Sequence, residues 1–185
     1  MGTSYTTPTN PDWGREPIER TEIMWITIAF AWCLFMFGWM VSWHWIGNQN
    51  MRNEAYRTTP EAYAQKLADQ QTKYTIRNDV ASGEPVVAPP PGGDVYIAGM
   101  QWQWRPILEL QKGKSYRVHI SSLDVDHGFS LQPENINFQA YPGYEQVITM
   151  TPNKAGTYAI LCGEYCGGGD TAGHQTMLGR IYVKE

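Results

Sequence analysis

The clearest hydropathy feature of the chain is a stretch near the N-terminus without charge. Residues 23–46 contain no Asp, Glu, Lys or Arg, and apolar side chains occupy every side of a helical projection. At a rise of ~1.5 Å per residue this stretch is about 36 Å long as a helix, enough to cross a hydrocarbon core of ~30 Å. Trp25 lies near one end, and Trp39, Trp43 and Trp45 near the other, as is typical of membrane interfaces. The pattern predicts a transmembrane helix over residues 23–46.

Two alternatives to a membrane anchor are a cleaved signal peptide and a helix buried in a protein core. The apolar region of a signal peptide is about half this length, and no Ala-x-Ala-like cleavage site follows. A soluble protein rarely buries a helix that is apolar on all sides. Cys33 lies within the segment and is interpreted as an inert, small apolar residue.

Polar and apolar positions divide the remaining chain into three segments. Residues 1–22 form a polar N-terminal segment. Residues 47–93 are predicted to be a neck, with a helix from Thr59 at the N-cap to about Tyr74, followed by a Pro/Gly-rich linker. Residues 94–185 are predicted to be the folded domain.

The predicted domain alternates between short β-rich runs and turns. Within residues 116–120, Tyr, Val and Ile alternate with Arg and His, which is typical of a half-buried strand. Strands are predicted at 95–104, 115–121, 145–151, 157–161 and 178–183. Several short strands in about ninety residues indicate a β-sandwich or a small barrel.

Composition narrows the class of protein. The 185 residues include 14 Lys+Arg and 18 Asp+Glu, giving a net charge of −4, whereas a nucleic-acid-binding domain normally carries a basic surplus. Charged residues make up only 17% of the chain, which has 8 Trp and 8 Met; this suits a protein that meets a membrane or handles electrons. The 3 cysteines are an odd number, which excludes a complete disulfide framework.

Metal-binding side chains concentrate in the loop between the last two predicted strands. Cys162, Cys166, His174 and Met177 lie within sixteen residues. Thiolate, imidazole and thioether ligands together favour copper. The alternatives to a copper site are a Cys162–Cys166 disulfide, a structural zinc site, a cysteine nucleophile with a histidine base, and coincidence. The methionine argues against zinc, because zinc sites do not recruit Met.

A second histidine completes this pattern. His127 stands in the run Asp124-Val125-Asp126-His127-Gly128-Phe129, at a predicted boundary between strand and loop. A mononuclear blue-copper site takes one His from a distant loop and Cys, His and Met from a late one. One Cys suffices for a single copper, so two Cys separated by three residues could place both sulfurs between two metal ions.

These motifs resemble subunit II of the haem–copper (cytochrome c) oxidases, which carries the binuclear copper centre CuA. The matching runs are Gln101-Trp102-Gln103-Trp104, Asp124-Val125-Asp126-His127-Gly128-Phe129, Ala140-Tyr141-Pro142-Gly143, Cys162-Gly163-Glu164-Tyr165-Cys166-Gly167 and His174-Gln175-Thr176-Met177-Leu178-Gly179. A single transmembrane helix is similar to the B-type members of the family. The resemblance implies an all-β, cupredoxin-like Greek-key barrel, the CuA domain, over residues 94–185, with one N-terminal transmembrane helix.

The resemblance also implies a ligand set for two copper ions. Its members are the bridging thiolates of Cys162 and Cys166, the imidazoles of His127 and His174, the axial thioether of Met177, and the backbone carbonyl of Glu164. The family places the second His four residues after the second Cys, whereas here the separation is eight. Glycines in the four-residue insert could let it loop outward, so His174 is kept as the ligand in preference to His119 and His44.

Two further residues receive roles by the same resemblance. Trp102 matches the aromatic residue at which electrons enter; the alternative is that Trp102 and Trp104 are both core aromatics. Glu22, at the start of the predicted span, matches an acid at the mouth of a proton channel. Glu19 is the competing residue, and an ordinary interfacial acid is an equally good interpretation of Glu22.

By resemblance, the chain is expected to be the electron-accepting subunit of a terminal respiratory oxidase, and thus part of an enzyme. Electrons would come from cytochrome c or a small blue copper protein and pass to haem in subunit I, where oxygen is reduced. Expected partners are subunit I, other membrane subunits and lipid, with no nucleic acid.

The chain would cross the plasma membrane once, with the N-terminus cytoplasmic and the copper domain on the periplasmic or extracellular side. The alternatives are a CuA subunit of a nitric oxide reductase and a membrane-tethered copper-binding module.

Overall fold

The computed structural model describes residues 12–15, 17–46, 54–170 and 172–185. The chain divides into two compact units, Met1–Gln49 and Asn50–Glu185. Residues 1–11 and 16 of the predicted N-terminal segment, and residues 47–53 of the predicted neck, lie outside the described residues.

The N-terminal unit is dominated by one long helix. After a 3-10 turn at Trp13–Arg15, helix α1 runs over Arg20–Ile46, with every described side chain exposed or nearly so. The first turn is capped by Glu22, whose carboxylate accepts a hydrogen bond from the backbone N–H of Glu19 at 3.0 Å, satisfying one donor that a helix start leaves free. Mean hydropathy reaches 1.9, so α1 is long and apolar enough to cross a membrane by length and composition.

The described part of the C-terminal unit consists of strands, one α-helix, α2, at Pro60–Tyr74, and a 3-10 turn at His174–Thr176. Its strands, in chain order, are β1 Glu54–Arg57, β2 Thr75–Asn78, β3 Pro85–Val87, β4 Asp94–Met100, β5 Gln103–Arg105, β6 Ile107–Gln111, β7 Tyr116–Ser122, β8 His127–Gln132, β9 Ile136–Ala140, β10 Tyr144–Met150, β11 Gly156–Cys162 and β12 Leu178–Lys184. Four of the five strands predicted from the sequence are confirmed to within two residues, as β7, β10, β11 and β12.

The strands form one curled sheet in the order β1-β10-β7-β4-β5-β12-β11-β8-β9. Strand β12 also pairs with β6, which continues to β3 and β2. Alternate side chains point inward and form the main apolar core, whose largest fully buried members include Trp104, Tyr116, Phe129 and Tyr158. A smaller cluster of Tyr63, Leu67 and Ala98 lies between α2 and β4. Burial of this apolar surface is the main stabilising contribution to the unit.

The predicted strand over residues 95–104 is two strands. The backbone turns at Gln101 and Trp102, so that β4 and β5 pair antiparallel, with Ala98 opposite Arg105. Side-chain alternation does not show where a chain reverses when apolar residues continue through the turn.

The predicted neck differs most from the structure, because its described residues, 54–93, belong to the folded unit. In α2, Tyr63 is fully buried and its hydroxyl lies within hydrogen-bonding distance of the carbonyls of Ile97 at 3.0 Å and His119 at 2.8 Å. Strand β1 pairs with β10, and β3 pairs with β6. The packing therefore extends from Glu54 onward rather than from residue 94.

The predicted start of α2 is confirmed. Thr59 is the N-cap, and its side-chain oxygen accepts a hydrogen bond from the backbone N–H of Ala62 at 3.2 Å. Pro60 stands at the first helical position, where its missing N–H leaves no hydrogen bond unmade.

Candidate metal site

The pairing of β8 with β11 brings the two ligand-bearing segments together. Cys162, the last residue of β11, lies opposite Phe129, two residues after His127 at the start of β8. The backbones approach closely at Gly128: a Cβ there would lie 2.6 Å from the backbone nitrogen of Glu164. A glycine at this position therefore lets the cysteine loop lie directly over β8.

The predicted side-chain ligands converge on two neighbouring sulfurs. Cys162 Sγ and Cys166 Sγ are 3.6 Å apart. His127 Nδ1 lies 3.9 Å from the first sulfur, and His174 Nδ1 lies 3.9 Å from the second. Met177 Sδ lies 3.7 Å from Cys166 Sγ. Each sulfur thus has its own imidazole.

The backbone carbonyl of Glu164 also points into this group. Its oxygen lies 3.0 Å from Cys162 Sγ, while the Glu164 side chain is exposed. The carbonyl oxygen accompanies one sulfur as the thioether of Met177 accompanies the other. The six predicted ligands are therefore brought together, in two matching halves.

Burial and donor chemistry indicate which metal this group fits. His127, Cys162, Cys166 and Met177 are all buried, at 0%, 8%, 5% and 2% exposure; His174 is half-buried. The donor atoms of the first three lie within 4.8 Å of one another. Both cysteines are free, so the disulfide alternative is not realised. Buried thiolate, imidazole and thioether donors fit copper better than harder ions.

Asp124 holds His127 in one orientation. The carboxylate Oδ1 lies 2.8 Å from His127 Nε2; a carboxylate only accepts, so Nε2 donates and the Nδ1 lone pair faces the sulfur. Burial raises the pKa of Asp124, but hydrogen bonds from the Gln101 backbone N–H, from His127 and from the Val125 backbone N–H outweigh it, so the pKa is lower than usual. Asp124 remains ionised at neutral pH.

At Cys166 burial is not outweighed, and the net shift of the pKa is upward. Burial, followed by the hydrogen bond and charge of Cys162, raises the pKa of the Cys166 thiol to about 11. Because metals bind cysteine as thiolate, metal binding at these sulfurs displaces protons.

The insert between Cys166 and His174 forms a small closed loop. Gly168 and Gly173 pair as an isolated antiparallel bridge, and Gly169 N–H donates to Ala172 O at 2.8 Å. At its base, His174 N–H donates to the carbonyl of Gly167 at 2.9 Å. Thr171, near the tip, lies outside the described residues. The insert therefore projects from the ligand loop while His174 stays beside Cys166.

The two tryptophans of the Gln-Trp-Gln-Trp run have different environments. Trp104 is buried in the core, with its ring 5.8 Å from that of His127 in an edge-to-face arrangement. Trp102, in the turn before β5, is half-buried and covered by the insert: a Cβ on Gly169 would lie 3.1 Å from its ring. Trp104 is thus a core aromatic, and Trp102 is a partly exposed residue that packs against the core and lies beside the metal ligand loop.

Glu22 is not among the residues of this site; it lies on α1 in the other unit, where its carboxylate caps the helix. Sequence reasoning gave no role to Asp124 or Gln101, although both contact the ligand segments. The available signal was that both residues lie in runs matching the family, Gln101 directly before Trp102 and Asp124 three positions before His127.

Comparison with known proteins finds relatives among cytochrome c oxidase subunits. No family model matches the chain. Cytochrome c oxidase subunit 2 of Thermus thermophilus is 37% identical over 92 residues, covering 49% of this chain and 65% of that protein. A probable cytochrome c oxidase subunit 2 of Streptomyces coelicolor is 37% identical over 78 residues, 42% of this chain and 23% of that protein. The chain thus spans less than two thirds of these relatives.

One solved structure covers most of the chain. A chain from a cryo-EM structure of a heme-copper terminal oxidase dimer aligns over 89% of this chain and 100% of its own length, with a TM-score of 0.55 and 22% identity. This likeness shows a shared fold. The predicted cupredoxin-like β-domain with one N-terminal apolar helix is confirmed. The resemblance to cytochrome c oxidase subunit 2, first indicated by the copper-ligand motifs, is confirmed by these relatives.

Proposed function

We propose that the chain is the electron-accepting subunit of a terminal respiratory oxidase and that its ligand group holds a binuclear CuA centre. The observation that carries the proposal is the paired arrangement of two cysteine sulfurs 3.6 Å apart, each with one imidazole nitrogen at 3.9 Å. When bound, such a centre accepts and releases single electrons with little change in geometry. The protein supplies fixed ligands and a buried setting, which tune the potential.

The residues around the ligand group support exchange of electrons with a soluble partner. Exposed acids lie on the two ligand loops at Asp124, Asp126, Glu164 and Asp170, and neither residues 123–127 nor 163–177 contain Lys or Arg. An acidic rim attracts a donor with a basic face, such as cytochrome c; a small blue copper protein is the other donor class. The electrons then pass to haem in subunit I.

We place α1 in the plasma membrane, as a single crossing with the copper domain on the periplasmic or extracellular side. Helix length and hydropathy support the crossing. The side is part of the same proposal, because a soluble donor outside the cytoplasm has to reach the copper domain. Residues 1–22 are then cytoplasmic, and other oxidase subunits and lipid surround α1.

The test uses the full chain purified in detergent and loaded with copper. Two coppers per chain are expected, with intense thiolate-to-copper charge-transfer bands and an EPR hyperfine pattern from one electron shared by two nuclei. The pattern of a single localised copper in the fully loaded protein would contradict the bridged pair. Co-purification with a haem-containing, multi-helix subunit separates an oxidase subunit from an independent copper module.

Trp102 is assigned as the point at which electrons enter. It lies against Gly167 and Gly169 of the ligand loop, while remaining partly exposed. Replacing Trp102 with Gln should slow transfer from the donor by orders of magnitude in stopped-flow measurements, while the copper spectrum is retained. Trp104→Gln is the contrasting variant, because a buried core aromatic should instead lower the melting temperature and disturb the metal. An unchanged transfer rate in Trp102→Gln would contradict the assignment.

Glu22 is assigned to the mouth of a proton path. An acid at the end of an apolar helix is costly unless it has a partner or a function, and the Glu19 backbone N–H is one partner already seen. Glu22→Gln keeps the capping oxygen but cannot ionise, so it should slow oxidase turnover without unfolding the helix. Turnover equal to that of the wild type would leave Glu22 as a helix cap.

A further inference from the structure

Gln101 contacts both ligand-bearing segments at once. Its side-chain Nε2 donates to the backbone carbonyl of Cys166 at 2.6 Å. Its backbone N–H donates to Asp124 Oδ2 at 2.7 Å, and the other oxygen of that carboxylate holds His127 Nε2 at 2.8 Å. Gln101 is therefore connected to one bridging cysteine directly and to one histidine through Asp124.

Gln101 also packs closely against the residue that follows Cys166. Gly167 follows Cys166 with φ +107°, and a Cβ there would lie 2.8 Å from the Gln101 amide nitrogen. The Gln101 amide thus fills the space that the glycine leaves, and no side chain at 167 anchors the loop. Gln101 itself is fixed by the antiparallel pairing of Met100 with Gln103, on either side of the turn.

We propose that Gln101 is a positioning residue of the copper site, which holds the Cys166 sulfur and the His127 imidazole at a fixed separation. The inference rests on the proposed copper function of these ligands. Loss of the amide hydrogen bond releases the backbone at Cys166, so the two ligand loops move relative to each other. Copper then leaves faster, and the overlap of the sulfur and copper orbitals changes.

The experiment compares Gln101→Met with Gln103→Met in the full-length chain in detergent. Methionine has nearly the length of glutamine and is neutral, but cannot donate the hydrogen bond. Gln101→Leu and Gln103→Leu, which add no sulfur near the copper ligands, must give the same result. Gln103 is the matched control because its amide lies 3.4 Å from Met100 Sδ rather than on a ligand loop. Copper loss to an excess of a Cu(I) chelator should be about three- to tenfold faster in Gln101→Met, as loss of one hydrogen bond predicts. The charge-transfer bands should shift in this variant alone.

A general structural role makes a different prediction. If Gln101 only stabilises the fold, the copper-free Gln101→Met protein melts well below copper-free Gln103→Met, and the bands of the loaded protein stay in place; that result overturns the proposal. Equal copper-loss rates and spectra in the two variants also overturn it. Should Gln101→Met fail to fold, Gln101→Asn replaces it, since its shorter amide cannot reach the Cys166 carbonyl, and the same outcomes apply.

The proposed function and this inference fail in different ways. A wild-type chain that binds no copper overturns both. A wild-type chain that loads normally, beside a Gln101→Met variant that matches Gln103→Met, overturns only the role of Gln101.

Discussion

The six atoms proposed as copper ligands do not contribute equally to metal retention. Cys162 and Cys166 face each other at 3.6 Å, so both sulfurs can serve both metal positions, whereas Met177 Sδ lies beside only one of them. A shared thiolate affects both metal ions when it is lost. An axial thioether is long and weak, and tunes the potential more than it holds the metal.

Changing these residues one at a time should therefore give two classes of result. Cys162→Ser and Cys166→Ser should each abolish the shared-electron EPR pattern, and Met177→Leu should keep both coppers while its reduction potential changes. Cys33→Ser is the matched control, because this cysteine is exposed on α1. Metal analysis and potentiometry are the measurements. If Met177→Leu lost copper as readily as the cysteine variants, this ranking of the ligands would be wrong.

The candidate ligands could be found in the sequence because four of them lie in one short stretch of chain. Soft donors at Cys162, Cys166 and Met177 favour copper without any knowledge of the fold. Asp124 and Gln101 could not be predicted in the same way. Aspartate and glutamine occur on most surfaces, and only the turn between β4 and β5 brings Gln101 to the ligand loops.

At the scale of elements, strands with regular alternation were predictable and short strands were not. Strands β7, β10, β11 and β12 each have seven residues, enough for alternation to show. Strand β3 has three residues and begins with Pro85 in a Pro/Gly-rich stretch, where alternation cannot be seen. Strand β3 pairs with β2, which precedes it in a hairpin, and with β6, which lies about twenty residues later in the chain. This pairing, rather than its own sequence pattern, makes the segment a strand.

Helix α2 was predicted correctly as a helix and wrongly as part of a neck. Tyr63 and Leu67, four residues apart, form the buried face, together with Gln70. One tyrosine, one leucine and a glutamine make a weak apolar stripe beside the many polar residues of α2. Part of the contact between α2 and the sheet is made by hydrogen bonds of buried polar groups such as the Tyr63 hydroxyl. A hydropathy pattern cannot show such contacts.

Docking of α2 can be measured through Tyr63. Removing its hydroxyl, as in Tyr63→Phe, should cost about 0.5–1.5 kcal/mol of unfolding free energy, and Tyr63→Ala should cost about 3–5 kcal/mol because the ring is fully buried. Tyr56 on β1 is exposed and hydrogen-bonds to Glu54, so Tyr56→Phe and Tyr56→Ala are the matched controls. Denaturant unfolding gives the free energies. Equal losses at positions 63 and 56 would mean that α2 is not docked.

At the scale of the whole C-terminal unit, Asp79 connects the hairpin of β2 and β3 to β12. Its carboxylate accepts a hydrogen bond from the Tyr182 hydroxyl at 2.6 Å, and others from the Ser82 backbone N–H and hydroxyl at 3.0 and 2.8 Å. The hydrogen bonds from Tyr182 and Ser82 lower the pKa of Asp79 to about 2. These bonds favour the ionised carboxylate.

The pH dependence of stability follows from that lowered pKa. The folded pKa lies below the unfolded value of about 3.9, so Asp79 contributes stability above about pH 4, and this contribution is lost as the pH falls toward 2. Asp79→Asn should therefore be less stable than the wild type at pH 7, with a difference that shrinks between pH 4 and 2. Asp69→Asn, on the exposed side of α2, is the control. Melting temperatures across this range test the prediction, and a difference that does not vary with pH would contradict it.

Because Gly168 and Gly173 pair and close the insert into a loop, Cys166 and His174 are close in space although they are well separated in sequence. Eight positions separate Cys166 from His174, yet the hydrogen bond from His174 N–H to Gly167 O joins the two ends of the insert. Residues can therefore be gained or lost between these glycines without moving either ligand. A search pattern that fixes the number of residues between the second cysteine and the histidine would pass over this chain. Such patterns select for one loop length, whereas the chemistry requires only that the loop closes at its base.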